Sequence, residues 1–343
     1  MPERLSNKIY FYSFLLSLLV ILVHAENLAP DNLGLQELAA GVPLLSAVSV
    51  ENFFSNTLGQ AAVPGFFLLS GCLFFRSFGS LGELPRKWGK RAYRLLLPYC
   101  AWNSLCYLFF VLLGRTAFSG ALWLDAVIHY RWNPVFWYLY QLLLLQLSAP
   151  LLYLLLRRRT AAFFAFLCLL GLIYSRCSLP YLNADALLYY YAGALLGRYG
   201  GRFYEERDGR LAGGLLLLLP LLLYLRGVPV MSGNAGFSVL LTVLYRLLLP
   251  LLLLLLLPME KLPRVPGWMK NSFFLYALHY PVVRAVSWGI RAFGLTPASP
   301  LQSGILLLVY FLLPPLCVFL SAVLTDFLRK RLPLLFSLLS GGR

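Results

Sequence analysis

Apolar blocks of about 17–25 residues recur along the whole chain, set apart by short polar stretches. A block of that length crosses a hydrocarbon core of roughly 30 Å as a helix. Backbone groups in lipid must be satisfied within their own segment, so the blocks are predicted to be helical. They fall near 9–25, 61–75, 95–114, 134–156, 160–175, 182–197, 211–226, 238–257, 272–293 and 303–325, with the second extending toward Gln60 or beyond. The predicted fold is therefore all-α, a polytopic membrane protein of about ten transmembrane helices. Composition agrees: hydrophobic residues make up 60% and charged residues 12%, against about half and a quarter in a soluble domain. That leaves too little polar surface for a water-facing globule. Residues 1–343 are expected to form a single transmembrane domain with no soluble appendage.

The net charge of +16 could point to nucleic acid, but the lysines and arginines sit in short clusters between apolar blocks, where they encode topology. With the N-terminus inside, 22 of the 29 fall on the cytoplasmic side. Six lie on or near the outer side, namely Arg115, Arg131, Arg176, Arg226, Arg284 and Arg291, and Arg246 lies within a span. This split predicts both termini in the cytoplasm and no nucleic-acid partner. The first outer stretch, 26–60, carries Glu26, Asp31, Glu37 and Glu51 and no lysine or arginine. Met1–Ala25 imitates a secretory signal, ending in Val23-His24-Ala25; it is expected to stay, because the alternation of charge needs its first member. Six cysteines without a CxxC pair and only three histidines indicate neither a disulfide framework nor a metal site.

Ionisable groups inside a membrane cost roughly 2.5–3.5 kcal/mol each, which makes them functional leads. His24 ends the first span, Arg91 and Arg94 open the third, Arg246 interrupts the eighth, and His279 and Arg284 lie in the ninth. Each also has a plain reading as a helix-end, topological or carbonyl-paired residue. His129 reads as a solvated loop residue. The clusters Tyr189–Tyr191 and Phe136–Tyr140 read as interfacial belts or helix packing.

Several segments resemble the acyltransferase-3 family of membrane acyltransferases. Val63-Pro-Gly-Phe-Phe-Leu-Leu-Ser-Gly-Cys-Leu73 is similar to its second-helix signature, and Lys90-Arg-Ala-Tyr-Arg-Leu-Leu-Leu-Pro-Tyr99 to its Arg-x-x-Arg motif. Phe136-Trp-Tyr-Leu-Tyr-Gln141, running on to Ser148-Ala-Pro150, resembles its Trp-Phe-Leu helix. Phe274-Leu-Tyr-Ala-Leu-His-Tyr-Pro-Val282 resembles its late Tyr-x-x-His-x-Pro segment. His24 falls where the family has a first-helix histidine, but the basic residue usual eleven positions earlier is Ser13, and the acidic one often found three before that is Tyr10. Lys8 and Arg246 are candidates to replace the missing cation.

The resemblance implies transfer of an acyl group, acetyl by default, from acyl-coenzyme A to a hydroxyl of a cell-surface or lipid-linked glycan. No permanently bound cofactor and no metal is implied. His24 and His279 are the candidate catalytic residues, since imidazole serves as base or nucleophile near neutral pH. Arg91 and Arg94, with Lys87 and Lys90, are candidates for the donor's phosphates, and their spacing puts the two arginines on one helix face. Ser70, Gly71, Trp137 and Arg246 are candidates for the substrate path or its support. Because His24 lies roughly 22 Å along its helix from Lys8, a donor bound inside must send its acyl arm deep into the bundle. The rival readings are a glycolipid transporter or flippase, and a non-catalytic relative.

Overall fold

A computed structural model describes residues 3–28, 46–201 and 208–342. Asp31 and Glu37 of the acidic stretch, and the basic residues Arg202, Arg207 and Arg343, lie outside them. Among the described residues the chain is helical with no strand, and each of the ten apolar blocks forms a helix. The elements are α1 (Glu3–His24), α2 (Ala47–Arg76), α3 (Leu81–Leu112), a short α4 (Gly120–Ile128), α5 (Pro134–Leu147) and α6 (Ala149–Leu155). There follow α7 (Arg159–Tyr174), α8 (Ala184–Tyr199), α9 (Gly209–Gly227), α10 (Ala235–Leu256), α11 (Ser272–Ala292), α12 (Pro300–Arg331) and α13 (Pro333–Ser340).

Six of these, α1, α2, α3, α9, α10 and α12, are long and apolar enough to cross a membrane, or seven if α5 and α6 count as one broken span. The other three helices predicted to span do not meet that measure. α7 and α8 have 16 residues each, and α11 carries His279, Arg284 and Arg291. The predicted span 134–156 is bent by 58° between α5 and α6. Pro150 explains the break: it has no N–H for the Gln146 carbonyl and its ring collides with that carbonyl. The freed oxygen accepts the indole N–H of Trp88 at 2.9 Å.

α2 starts well before the predicted span, and its first half is irregular. A π-helical turn, Phe53–Leu58, and a 3₁₀ turn, Gly59–Ala61, separate two α-helical stretches. The turn is tied down from three sides. The Ser55 hydroxyl donates to the Leu22 carbonyl at 2.9 Å and meets the Tyr310 hydroxyl at 2.8 Å. The Tyr245 hydroxyl donates to the Thr57 carbonyl at 3.1 Å.

The tightest helix pair is α2 with α8, where glycine decides the geometry. A Cβ on Gly71 would strike the Tyr190 carbonyl, one on Gly193 the Leu68 carbonyl, and one on Gly197 the Cys72 carbonyl. Lipid gives no hydrophobic drive between helices, so small residues that admit close backbones drive association. α1 packs against α2, α11 and α12, while leucines such as Leu217 on α9 and Leu308 on α12 point outward. Tyr190, Tyr191 and Phe136 are fully buried, so these members of the aromatic clusters serve packing.

Candidate active site

α1 ends at His24, where the Ala25 N–H turns back to the Leu22 carbonyl at 3.2 Å. The chain beyond is held by Glu51, buried in the first stretch of α2, whose Oε1 accepts the N–H groups of Asn27 and Leu28 at 3.0 and 2.9 Å. A carboxylate sitting on two backbone donors fixes the exit of α1 and so the place of the His24 ring. That ring lies 5.4 Å, centroid to centroid, from the ring of His279 and 5.6 Å from that of Tyr280. His279 is fully buried, and its Nδ1 donates to the Tyr276 carbonyl one turn earlier. The Tyr276 hydroxyl in turn donates to the Val135 carbonyl, linking α11 to the start of α5.

His24 lines a cavity of about 230 Å³. Its other walls include Val20 of α1, Gln60, Pro64 and Phe67 of α2, Trp137 of α5, Asp185 and Tyr189 of α8, and Arg246 of α10. Arg246 Nε makes no hydrogen bond among the described residues, although Arg246 stands within interaction range of the Tyr189 hydroxyl and of the Asp185 carboxylate. Gly59 also lines the cavity, and a Cβ there would meet Val23 Cγ2 at 2.5 Å. The volume falls below the roughly 300–1,000 Å³ of drug-sized ligand sites. It admits a single ring or a short acyl chain, not a whole nucleotide-bearing donor.

Three of the residues singled out in the sequence, His24, Trp137 and Arg246, thus share one cavity, and the His279 ring lies next to that of His24 at a tilt of 35°. Ser70 and Gly71 lie further along α2, Gly71 against the α8 backbone. Of the two cations that could replace a basic residue at Ser13, Arg246 shares the cavity with His24. Lys8 is buried at the opposite end of α1.

The basic cluster of α3 lies elsewhere and is divided. Lys87 donates to the Phe74 carbonyl at 3.2 Å and to the Ser77 hydroxyl at 2.9 Å, over the Phe74 and Phe78 rings, so it closes the end of α2. Along α2 this contact is roughly 10–15 Å from Phe67, the nearest cavity wall on that helix. Lys90 is exposed. A second π turn, Ala92–Leu96, widens the helix between Arg91 and Arg94, which stay within electrostatic reach of each other. Arg91 is half-buried within electrostatic reach of Tyr190 and Tyr138, whereas Arg94 is exposed. Tyr138 packs edge-on against Phe67, 4.7 Å between centroids, and Phe67 is a cavity wall.

Sequence reasoning overlooked Asp185, Tyr189 and Glu51. Asp185 had a signal, being an acid inside an apolar block. Glu51 read as a loop acid, and Tyr189 as packing. His129, taken as solvated, is exposed and bonds Asp125 at 2.8 Å, as Arg131 does at 3.1 Å. Among the described residues no group of three His, Cys, Asp or Glu side chains stands close enough to hold a metal ion.

Residues 14–339, nearly the whole chain, match a family model described as an acyltransferase domain. No curated protein and no solved structure matches the chain.

Proposed function

The chain belongs to the acyltransferase-3 family, and from that premise we propose that this multi-pass membrane protein moves an acyl group from acyl-coenzyme A to a hydroxyl of a cell-surface or lipid-linked glycan. Acetyl is the default acyl group. The observation that carries the reading is a histidine, His24, in the wall of a small cavity that also holds an arginine whose Nε has no hydrogen-bond partner among the described residues. Acyl transfer needs both parts. His24 takes the proton of the acceptor hydroxyl as its oxygen attacks the thioester carbon. Arg246 faces the negative charge that develops on the carbonyl oxygen, and in a water-poor site one such donor is worth several kcal/mol. The C–S bond breaks, and the coenzyme A sulfur leaves with the proton that His24 returns. Trp137 offers an apolar ring face to a sugar or an acyl chain.

The donor is too large for the cavity, so only its reacting end enters. Its phosphates stay at the α3 basic cluster, where Arg91 turns inward, and Tyr138 and Phe67 line the way between. In this reading the chain crosses the bilayer ten times with both termini in the cytoplasm, the arrangement that the distribution of Lys and Arg favours. The test is incubation of membranes containing the protein with radiolabelled acetyl-coenzyme A and membrane glycolipids. Label on the glycolipid, absent from His24→Ala membranes, supports the reading. Movement of unlabelled glycolipid without transfer would make the protein a transporter.

A further inference from the structure

His24 has no hydrogen-bonding partner of its own among the described residues, and an imidazole works as a base only if the right nitrogen carries the lone pair. In the serine-protease triad a carboxylate settles that question by accepting the N–H on the far side of the ring. Here the group behind His24 is a second histidine whose own state is set by the backbone. A carbonyl oxygen only accepts, so the contact between His279 Nδ1 and the Tyr276 carbonyl places the proton on Nδ1. In the neutral ring this leaves a lone pair on Nε2, and Nε2 is buried without a hydrogen-bond partner among the described residues.

Three polar rings surround His279: His24 at 5.4 Å, Tyr276 at 5.7 Å and Tyr280 at 6.5 Å between centroids. Tyr276 has committed its hydroxyl proton to the Val135 carbonyl. His24 is the nearest ring left with an N–H to give. The two imidazoles are not bonded at rest, but catalytic hydrogen bonds are often long in ligand-free structures and tighten when substrate binds.

We propose, on the acyl-transfer reading above, that His279 is a positioning residue: its Nε2 accepts the N–H of His24 and turns the other His24 nitrogen, lone pair outward, toward the cavity. When His24 takes the acceptor proton, the N–H···N bond between the rings becomes charge-assisted and stabilises the imidazolium. The relay runs cavity, His24, His279, Tyr276 carbonyl, and its last member cannot ionise. His279 moves no proton to or from substrate.

The experiment uses the full-length protein in membranes, with radiolabelled acetyl-coenzyme A, membrane glycolipid and rates normalised to protein abundance. Four variants are compared: His279→Leu, His279→Gln, His24→Ala and the double His24→Ala/His279→Leu. Leu removes the acceptor and Gln restores one as Oε1. His279→Leu is expected to lower kcat about a hundredfold with KM for acetyl-coenzyme A within about twofold. His279→Gln should recover to within about tenfold of the native rate, and the double variant should be no slower than His24→Ala alone. A native kcat in His279→Leu, equal losses in the Leu and Gln variants, or a double variant well below His24→Ala would overturn the relay. Full activity in His24→Ala would instead remove the base reading on which the relay rests. If His279→Leu does not accumulate, His279→Met takes its place as the apolar variant and the Gln comparison decides.

Discussion

Arg246 is the residue whose setting most needs a function. It interrupts an apolar helix, and Pro250 one turn later has no N–H for its carbonyl, which opens the helix beside it. Among the described residues its Nε meets no acceptor, and Asp185 lines the same cavity within electrostatic reach of it but forms no direct ion pair. If it faces the reacting carbonyl, Arg246→Gln should cost one charge-assisted contact, about 1.5–3 kcal/mol, read as a roughly ten- to hundredfold fall in transfer rate at unchanged membrane abundance. Arg246→Lys should lie between, because an ammonium keeps the charge and loses the planar fork. Loss of protein rather than rate would make the residue structural. A milder case sits at the end of the short helix α4, which is not among the candidate membrane spans. Hydrogen bonds from His129 first, then Arg131, hold the Asp125 carboxyl below the usual carboxylate range. Its folded pKa is depressed, so the contribution is present above the unfolded value and is lost as pH falls through the folded one. The protection factors of amides over residues 125–131, corrected for the intrinsic pH dependence of exchange, should therefore fall slightly in acid, whereas Asp125→Asn should remove that acid step.

At the scale of elements, the α2–α8 contact and the two π turns make the site. Gly193→Ala places a methyl against the Leu68 carbonyl, an overpacking that costs about 1–3 kcal/mol. Gly213→Ala on α9 meets nothing within 4 Å and should be neutral or slightly stabilising. Thermal unfolding of the two variants in one detergent compares them directly, and equal midpoints would refute the glycine argument. The π turn in α3 lies between two arginines, one half-buried and one exposed. If donor phosphates are held there, the double Arg91→Gln/Arg94→Gln variant should weaken acetyl-coenzyme A binding by about 1.5–3 kcal/mol per contact. Arg91→Gln alone should account for most of it, since that side chain faces Tyr138 and Tyr190. Unchanged affinity in the double variant would return both arginines to a topological role.

Across the whole molecule, charge placement makes a prediction that packing does not. In a background without the exposed Cys168 and Cys177, a cysteine at Arg158 should resist an impermeant thiol reagent in intact cells, and one at Asn234 should label. The reverse pattern would invert the protein. The same scale shows how much was readable in advance. All ten apolar blocks are helices, because block length and the need to satisfy backbone groups in lipid act locally, one segment at a time. Membrane character and the family resemblance were equally legible, as was His24, an ionisable group at the end of an apolar run. The bend at Pro150, both π turns and the neighbourhoods of Glu51 and Asp185 were not legible. They depend on which carbonyl a neighbouring helix can bond and how closely two backbones meet. What hydrophobic length and charge along the chain determined is a bundle of membrane helices with a histidine at one end of the first. Only tertiary packing decided that the rings of His24 and His279, far apart in the chain, are neighbours and that His24 shares a cavity with Arg246. Lipid-exposed leucines are interchangeable, so partner choice falls to a few glycines and buried polar groups scattered over different helices.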